Sequence, residues 1–137
     1  MTEFNKQPSG LNLDFSTSPT VWRFLNDNSF VRGLLGPVGS GKSYACCAEI
    51  FKRAVKQKPS PRDGIKYTRF AIVRNSYPML KTTTLKTWLE LFDETTWGNV
   101  RHSPPITHHL KLPSRENAHG IDCEVIFLAL DQPKDVR

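Results

Sequence analysis

The 137-residue sequence has no apolar run close to the roughly 18 residues of a membrane-spanning helix, and its first residues are polar rather than those of a signal sequence. It therefore predicts a cytoplasmic protein without a membrane segment. Cysteine is scarce, at three residues, and two of them, Cys46 and Cys47, are adjacent in a predicted helix. Because adjacent helical side chains point apart, we expect reduced core thiols and neither a disulfide framework nor a metal site.

Acidic residues are scarce in the middle of the chain, where residues 30 to 90 hold 12 Lys and Arg against 3 Asp and Glu within a net charge of +6. Seven of these cations lie close together, at Lys52, Arg53, Lys56, Lys58, Arg62, Lys66 and Arg69. Such a stretch can attract nucleic acid by neutralising phosphates, and it is as often only a solvated face. If this stretch binds DNA, we expect contacts to the backbone and not to the base sequence.

The pattern of apolar residues predicts an α/β fold with a mostly parallel sheet sandwiched by helices. Residues 1–17 are polar and aperiodic, and they are expected to form an N-terminal arm. The predicted helices are Ser18 to about Asp27, Lys42 to Lys56, and a third after Pro78 that ends near Asp93. The predicted strands are Phe30–Leu35, Tyr67–Val73, Ile106–Leu112 and Glu124–Leu130.

A glycine-rich motif carries the strongest chemical signal. It reads Gly36-Pro37-Val38-Gly39-Ser40-Gly41-Lys42-Ser43 and satisfies the full GxxxxGK[ST] pattern. In this pattern the loop N–H groups surround the α and β phosphates, Lys42 reaches the β and γ phosphates, and the Ser43 hydroxyl coordinates Mg²⁺. The motif therefore predicts a site for ATP and Mg²⁺. The structural alternative is a glycine turn that caps a helix and binds nothing.

Hydrolysis also needs a carboxylate at the end of a neighbouring strand. The one candidate is Asp131, which ends the apolar strand from Val125, but Gln132 follows where a second acidic residue is expected. An apolar strand that leaves through Asp into a Gln-Pro turn is also common as plain structure, so both interpretations stay open. The four histidines do not predict zinc, because adjacent His108 and His109 point to opposite faces of a strand and no CxxC pair accompanies them.

Three stretches together resemble the large subunit of tailed-bacteriophage terminases, the motor that drives viral DNA into the capsid. They are Phe30–Gly33 leading into Gly36–Ser43, Phe70–Pro78 followed by Leu80–Thr84, and Val125–Pro133. The glycine motif is shared by many families, whereas Arg-Asn-Ser-Tyr-Pro followed by Leu-Lys-Thr-Thr-Thr is more particular. The resemblance covers roughly residues 15 to 137, and it implies that residues 18–137 form an incomplete P-loop NTPase domain.

In that family the acidic Walker B strand and a nuclease domain of the ribonuclease H type follow the stretch that ends here at Arg137. The resemblance thus implies a truncated reading frame or a fragment that does not turn over ATP alone, and it argues against Asp131 as the Walker B acid. It implies that Arg74 is a candidate catalytic residue that senses nucleotide or touches DNA, with a plain ion pair as the alternative. Trp22 and Phe24 could stack on adenine, with core packing as the alternative.

Intact members hydrolyse ATP to package DNA and also cut it, so the implied partners are double-stranded DNA, the terminase small subunit and the capsid portal. A small stand-alone P-loop kinase is a second hypothesis, although no set of acceptor-side arginines is evident. A third is a truncated prophage remnant that binds nucleotide without turnover, because the last strand is expected to leave an unpaired edge.

Overall fold

The computed structural model describes residues 18–37 and 41–131. The chain divides into two compact units, of which the first ends at Lys52 and the second begins at Arg53, and each is described by itself. The predicted arm at residues 1–17 lies outside the described residues. No helix within the described ranges is both long and apolar enough to cross a membrane.

The first unit is built on helix α1, Pro19–Asn26, and on helix α2, Lys42–Lys56, which continues into the second unit. Both helices have the predicted bounds to within a residue. Proline stands in the first turn of α1, where its missing N–H costs nothing. The core joins the apolar faces of the two helices, and its buried members are Val21, Leu25, Ala45 and Ala48.

The predicted strand at Phe30–Leu35 is wrong, because these residues form neither a strand nor a helix. Phe30 and Leu35 are almost fully exposed. Arg32 holds the segment in an irregular path, since its Nη1 donates to Phe24 O at 2.7 Å and to Asp27 O at 2.8 Å. A strand also needs a ladder partner for its backbone groups, which an apolar run does not supply by itself.

The second unit contains a four-stranded sheet of β1, Lys66–Arg74, β2, Val100–Arg101, β3, Ile106–Leu112, and β4, Ile121–Ala129. The strand order is β1-β4-β3-β2. Only β1 and β4 are parallel, while β3 is antiparallel to both β4 and β2. The α/β prediction is therefore confirmed, and the prediction of a mostly parallel sheet is wrong, because β3 and β4 follow each other as an antiparallel pair.

The last strand of the sheet lies inside it. β4 pairs with β1 from Lys66↔Ile121 to Arg74↔Ala129 and with β3 on its other side. The prediction that the last strand leaves an unpaired edge is therefore wrong. Among the described residues, the outer strands are β1 and the two-residue β2.

Between β1 and β2 the chain is helical, as predicted after Pro78. It forms α3, Tyr77–Met79, a π-helical segment, Leu80–Thr84, α4, Leu85–Leu91, and α5, Glu94–Trp97. The π-helical segment contains threonines whose side chains donate to the preceding turn. Thr82 Oγ1, for example, donates to Pro78 O at 2.7 Å.

One face of the sheet carries the core of the second unit. Alternate residues of β4 are buried, as the period of two requires. Helical side chains pack on this face as an aromatic cluster, in which the Trp88 ring centroid lies 4.4 Å from that of Phe92 and 6.0 Å from that of Phe127. The Phe92 and Trp97 rings meet edge to face at 5.1 Å.

Candidate phosphate-binding loop and its surroundings

The glycine motif lies at the start of α2, as the sequence predicts. The structure describes Gly36, Pro37, Gly41, Lys42 and Ser43, while residues 38–40, which are Val38, Gly39 and Ser40, lie outside the described residues. Gly41 has a φ of 84°, in the left-handed region that glycine adopts without a Cβ penalty. The chain enters the helix directly after this turn, and Ala45 N donates to Gly41 O at 2.9 Å.

The ammonium group of Lys42 folds back over the beginning of the loop. Nζ donates to Pro37 O at 2.8 Å and also to Gly36 O. These carbonyls are neutral acceptors, and charged phosphate oxygens bind an ammonium more strongly. An anion placed inside the loop would therefore compete effectively for the donors of Lys42.

The first turn of α2 is suited to a negatively charged ligand. It contains Lys42 and the exposed Ser43 and no acidic residue. The partial positive charge at a helix N-terminus adds to the charge of the ammonium. The Lys42 ammonium group and the lack of carboxylates are compatible with the phosphates of a nucleotide. The Ser43 hydroxyl is a group that could serve as a ligand of Mg²⁺. Within residues 18–37 and 41–131, no three His, Cys, Asp or Glu side chains converge as a metal site of their own.

A buried ion pair fixes the segment that leads into the loop. Arg32 Nη2 lies 2.6 Å from Glu49 Oε1, and the two side chains are 14% and 10% exposed. Lys52 Nζ lies 3.5 Å from the other Glu49 oxygen. The Arg32 guanidinium also covers the Phe24 ring, 4.7 Å from its centroid. Sequence reasoning missed this pair, although a charged residue on the apolar face of α2 was a signal for it.

The two aromatic residues considered for adenine have different surroundings. Phe24 packs against the helical core of the first unit beneath Arg32, as the core interpretation expects. Trp22 is 42% exposed, so the core interpretation does not describe it. Trp22 lines an open groove of about 540 Å³, together with Arg23, Asn26 and Val31.

The Asp131 carboxylate accepts a hydrogen bond from the backbone of another element. Its Oδ1 accepts a hydrogen bond from Tyr77 N at 2.9 Å, and the preceding Leu130 N donates to Arg74 O at 2.9 Å. The carboxylate thus ties the carboxyl end of β4 to the start of α3, which follows β1. This contact favours the structural interpretation of Asp131 over the Walker B one. Gln132 and Pro133 lie outside the described residues.

Arg74 ends β1 and is half-buried. Its Nε is buried and has no hydrogen-bond partner among the described residues. An ion pair with a neighbouring carboxylate, the structural alternative for Arg74, is therefore not seen at this atom. The N–H group at Arg74 Nε could therefore donate a hydrogen bond to an additional acceptor.

The cations of the basic stretch proposed to bind DNA have different surroundings in the structure. Lys52 is buried beside Glu49, and Lys66 Nζ donates to Val55 O at 2.5 Å. Arg69 is exposed but lies 2.6 Å from Glu124. The remaining exposed cations surround the loop between α2 and β1, and they are Lys56, Lys58 and Arg62.

His108 and His109 face opposite sides of β3, as predicted. His108 is fully buried and bonds to Trp88 and to the Gly98 carbonyl, while half-buried His109 bonds to Asp122 at 2.5 Å. Burial lowers the pKa of His108. Sequence reasoning considered these residues only as metal ligands and missed the role of His108 in packing.

The fold and the loop together define an α/β protein in which a GxxxxGK[ST] motif opens a helix. Comparisons of the chain with models of protein families, with curated proteins and with solved structures find no match.

Proposed function

We propose that this chain is the nucleotide-binding portion of a terminase-type DNA-packaging ATPase. ATP phosphates would lie in the loop Gly36–Ser43, and Ser43 would provide one ligand to Mg²⁺. The observation that carries the proposal is the position of Lys42. Its ammonium group donates to the carbonyls of Gly36 and Pro37, and it lies at the start of a helix whose first turn has no acidic residue. The three stretches that resemble the terminase large subunit narrow the proposal to that family.

Each residue has a stated task in this proposal. Lys42 exchanges its carbonyl partners for oxygens of the β and γ phosphates, and the α2 N-terminus binds the phosphates through its dipole. Ser43 would hold the magnesium ion, which would supply Lewis-acid stabilisation of the phosphate charge. The buried Arg32–Glu49 pair supports the loop, because Arg32 stands four residues before Gly36 and is tied to the middle of α2.

Turnover needs a carboxylate that orients the attacking water. Among the described residues the sequence offered Asp131, which is engaged with Tyr77 N. We therefore expect the chain to bind Mg-ATP and to hydrolyse it very slowly. Arg74, with its unsatisfied Nε, is the residue that we assign to contact an anion in the working motor.

Double-stranded DNA is the proposed polymer partner, and the terminase small subunit and capsid portal are the proposed protein partners. Lys56, Lys58 and Arg62 are exposed and can neutralise backbone phosphates. Because each neutralised phosphate releases counterions, DNA affinity should fall steeply between low and moderate salt. Affinity that stays constant across this range would remove DNA from the proposal.

The deciding experiment is calorimetric titration of Mg-ATP into the purified chain and into Lys42→Ala. A hydrogen bond to a charged group contributes about 1.5–3 kcal/mol, so the loss of the ammonium should weaken binding by about tenfold to over a hundredfold. Lys56→Ala is the matched control, because it removes the same charge from an exposed position at the other end of α2.

Binding by the parent and the control but not by Lys42→Ala supports the nucleotide site. Equal binding by all three proteins contradicts it, and the glycine motif is then only a helix cap. Transfer of phosphate to a nucleoside or a sugar would favour the stand-alone kinase instead. Rapid hydrolysis would place the missing carboxylate within this chain and make Asp131 the first residue to test.

A further inference from the structure

Both ring nitrogens of the buried His108 bind groups on different elements. Trp88 Nε1, from α4, donates to His108 Nδ1 at 2.8 Å. The other nitrogen, Nε2, lies 2.9 Å from the carbonyl oxygen of Gly98, in the turn after α5. An indole N–H only donates, so Nδ1 must be the acceptor and the proton must lie on Nε2. The packing therefore requires one tautomer of a neutral imidazole.

A second proton has no acceptable place in this arrangement. It would bind Nδ1 and would direct an N–H group at the N–H group of Trp88. Rotation of the ring does not help, because both nitrogens of a charged imidazole are donors. The charged ring and the Trp88 side chain therefore exclude each other in their present positions.

Several groups near His108 partly oppose this effect. The Gly98 carbonyl favours a charged ring, as do the Glu94 and Asp93 carboxylates from the α5 side, while His109, the next residue on β3, disfavours it. Both carboxylates have other partners, since Glu94 lies 3.0 Å from His102 and Asp93 accepts from Thr96 N at 2.9 Å.

Apolar residues also surround this histidine and tryptophan pair. Val100 on β2 and Val125 on β4 pair with His108 in the sheet, and Phe92 and Phe127 pack against Trp88. Burial is therefore the largest influence on the His108 ring, and it lowers its pKa.

We propose that His108 is a protonation switch, which as a neutral ring accepts the Trp88 N–H and holds α4 against the sheet, and which releases α4 when the ring is protonated. The contact that would be lost is the indole-to-imidazole bond, together with the aromatic cluster that it fixes. The bond to Gly98 O persists, because Nε2 donates in both protonation states. The switch needs no nucleotide and does not depend on the function proposed above.

The direction of the pH effect follows from the lowered pKa. The unfolded chain binds a proton at the ordinary histidine pKa of about 6.5, before the folded chain does. The stabilisation is therefore complete above pH 6.5 and is lost as the pH falls from there towards the folded pKa. Within this window the equilibrium constant for opening should rise by up to about tenfold for each pH unit.

The first test is urea unfolding of the full chain between pH 8 and pH 5, followed by circular dichroism and by tryptophan fluorescence. His108→Gln should lose the component of the pH dependence below 6.5, because glutamine does not titrate. His119→Gln is the control, because it removes an exposed histidine that is not among the groups acting on His108, and it should retain the slope of the parent. A His108→Gln protein with the slope of the parent would overturn the proposal.

The second test uses the unaltered chain and does not depend on the folding of a variant. Correlations between the ring nitrogens and carbon-bound ring protons of His108 report its tautomer by NMR. We expect a proton on Nε2 alone at pH 7.5, and loss of the folded signals of Trp88 together with protonation of the ring. A ring that becomes charged while these folded signals persist would refute the switch.

Discussion

Gly98 lies so close to strand β3 that it permits a sharp stability prediction. It follows α5 with φ 126° and ψ 172°, a conformation that residues with a Cβ rarely adopt. A Cβ added at this position would lie 2.2 Å from the carbonyl oxygen of His109. The obstacle is backbone in a paired strand, so no side-chain rotation can relieve the overlap.

Two costs add up in Gly98→Ala. The strained conformation costs about 1–3 kcal/mol. Moving the turn away from β3 stretches the bond between Gly98 O and His108 Nε2, and a hydrogen bond contributes about 1 kcal/mol. Together these costs predict a loss of about 2–4 kcal/mol in the free energy of unfolding. Since small domains have about 5–15 kcal/mol in total, this variant should lose a large part of its stability.

Urea unfolding at pH 8, monitored by circular dichroism, measures the effect. Gly33→Ala is the matched control, since an added Cβ there has no atom within 4 Å and the backbone is outside the left-handed region. A surface change of this kind should alter stability by less than about 0.5 kcal/mol. If Gly98→Ala costs no more than Gly33→Ala, the close approach of the turn to β3 is refuted.

Two further predictions concern the loop and its surroundings. Arg32→Met should destabilise the first unit by about 3 kcal/mol, because it removes the nearer cation from the buried Glu49 carboxylate, whereas Lys52 lies farther away at 3.5 Å. A loss below about 1 kcal/mol in urea unfolding would contradict a buried pair. Asp131→Asn should leave Mg-ATP affinity unchanged within about twofold in calorimetry, because an amide oxygen can still accept from Tyr77 N. Loss of Mg-dependent binding in this variant would instead make Asp131 a metal ligand.

Local periodicity predicted most of the helices and strands. Strand β3 was found because apolar residues alternate from Ile106 to Leu112, and helix α2 because apolar residues follow the glycine motif at helical spacing. The same reasoning gave a wrong prediction for the segment Phe30–Leu35. A short apolar run is compatible with a strand only where another strand supplies its hydrogen bonds, and that partner is a property of the whole fold.

The topology of the sheet was less accessible than its strands. A sequence pattern gives the faces of β3 and β4 but not their relative direction, and the antiparallel register from Ile106↔Phe127 to Leu112↔Ile121 depends on the turn between them. An alternation of helices and strands favoured parallel pairing as a general rule. The turn at Arg115–Ala118, where the two residues bond to each other, instead reverses the chain.

The glycine motif could be recognised in the sequence because it occupies eight consecutive residues. The Arg32–Glu49 pair joins residues 17 positions apart, and no spacing rule identifies it. The position of the glutamate was still informative, because Glu49 lies on the apolar face that also contains Ala45 and Ala48. A charged residue on such a face requires a partner, so the sequence could predict a buried ion pair but could not identify the arginine.

The two adjacent histidines of β3 extend this reasoning. His108 is in phase with Ile106 and Leu110, both buried, so the period of two already assigns it to the core and His109 to the other face. A buried imidazole must satisfy both nitrogens, which requires one donor and one acceptor from elsewhere in the chain. An indole can serve only as the donor and a backbone carbonyl only as the acceptor, which are the two groups that the fold brings to His108. Because the indole can only donate, the arrangement that stabilises the neutral ring also makes the core of this unit sensitive to acid.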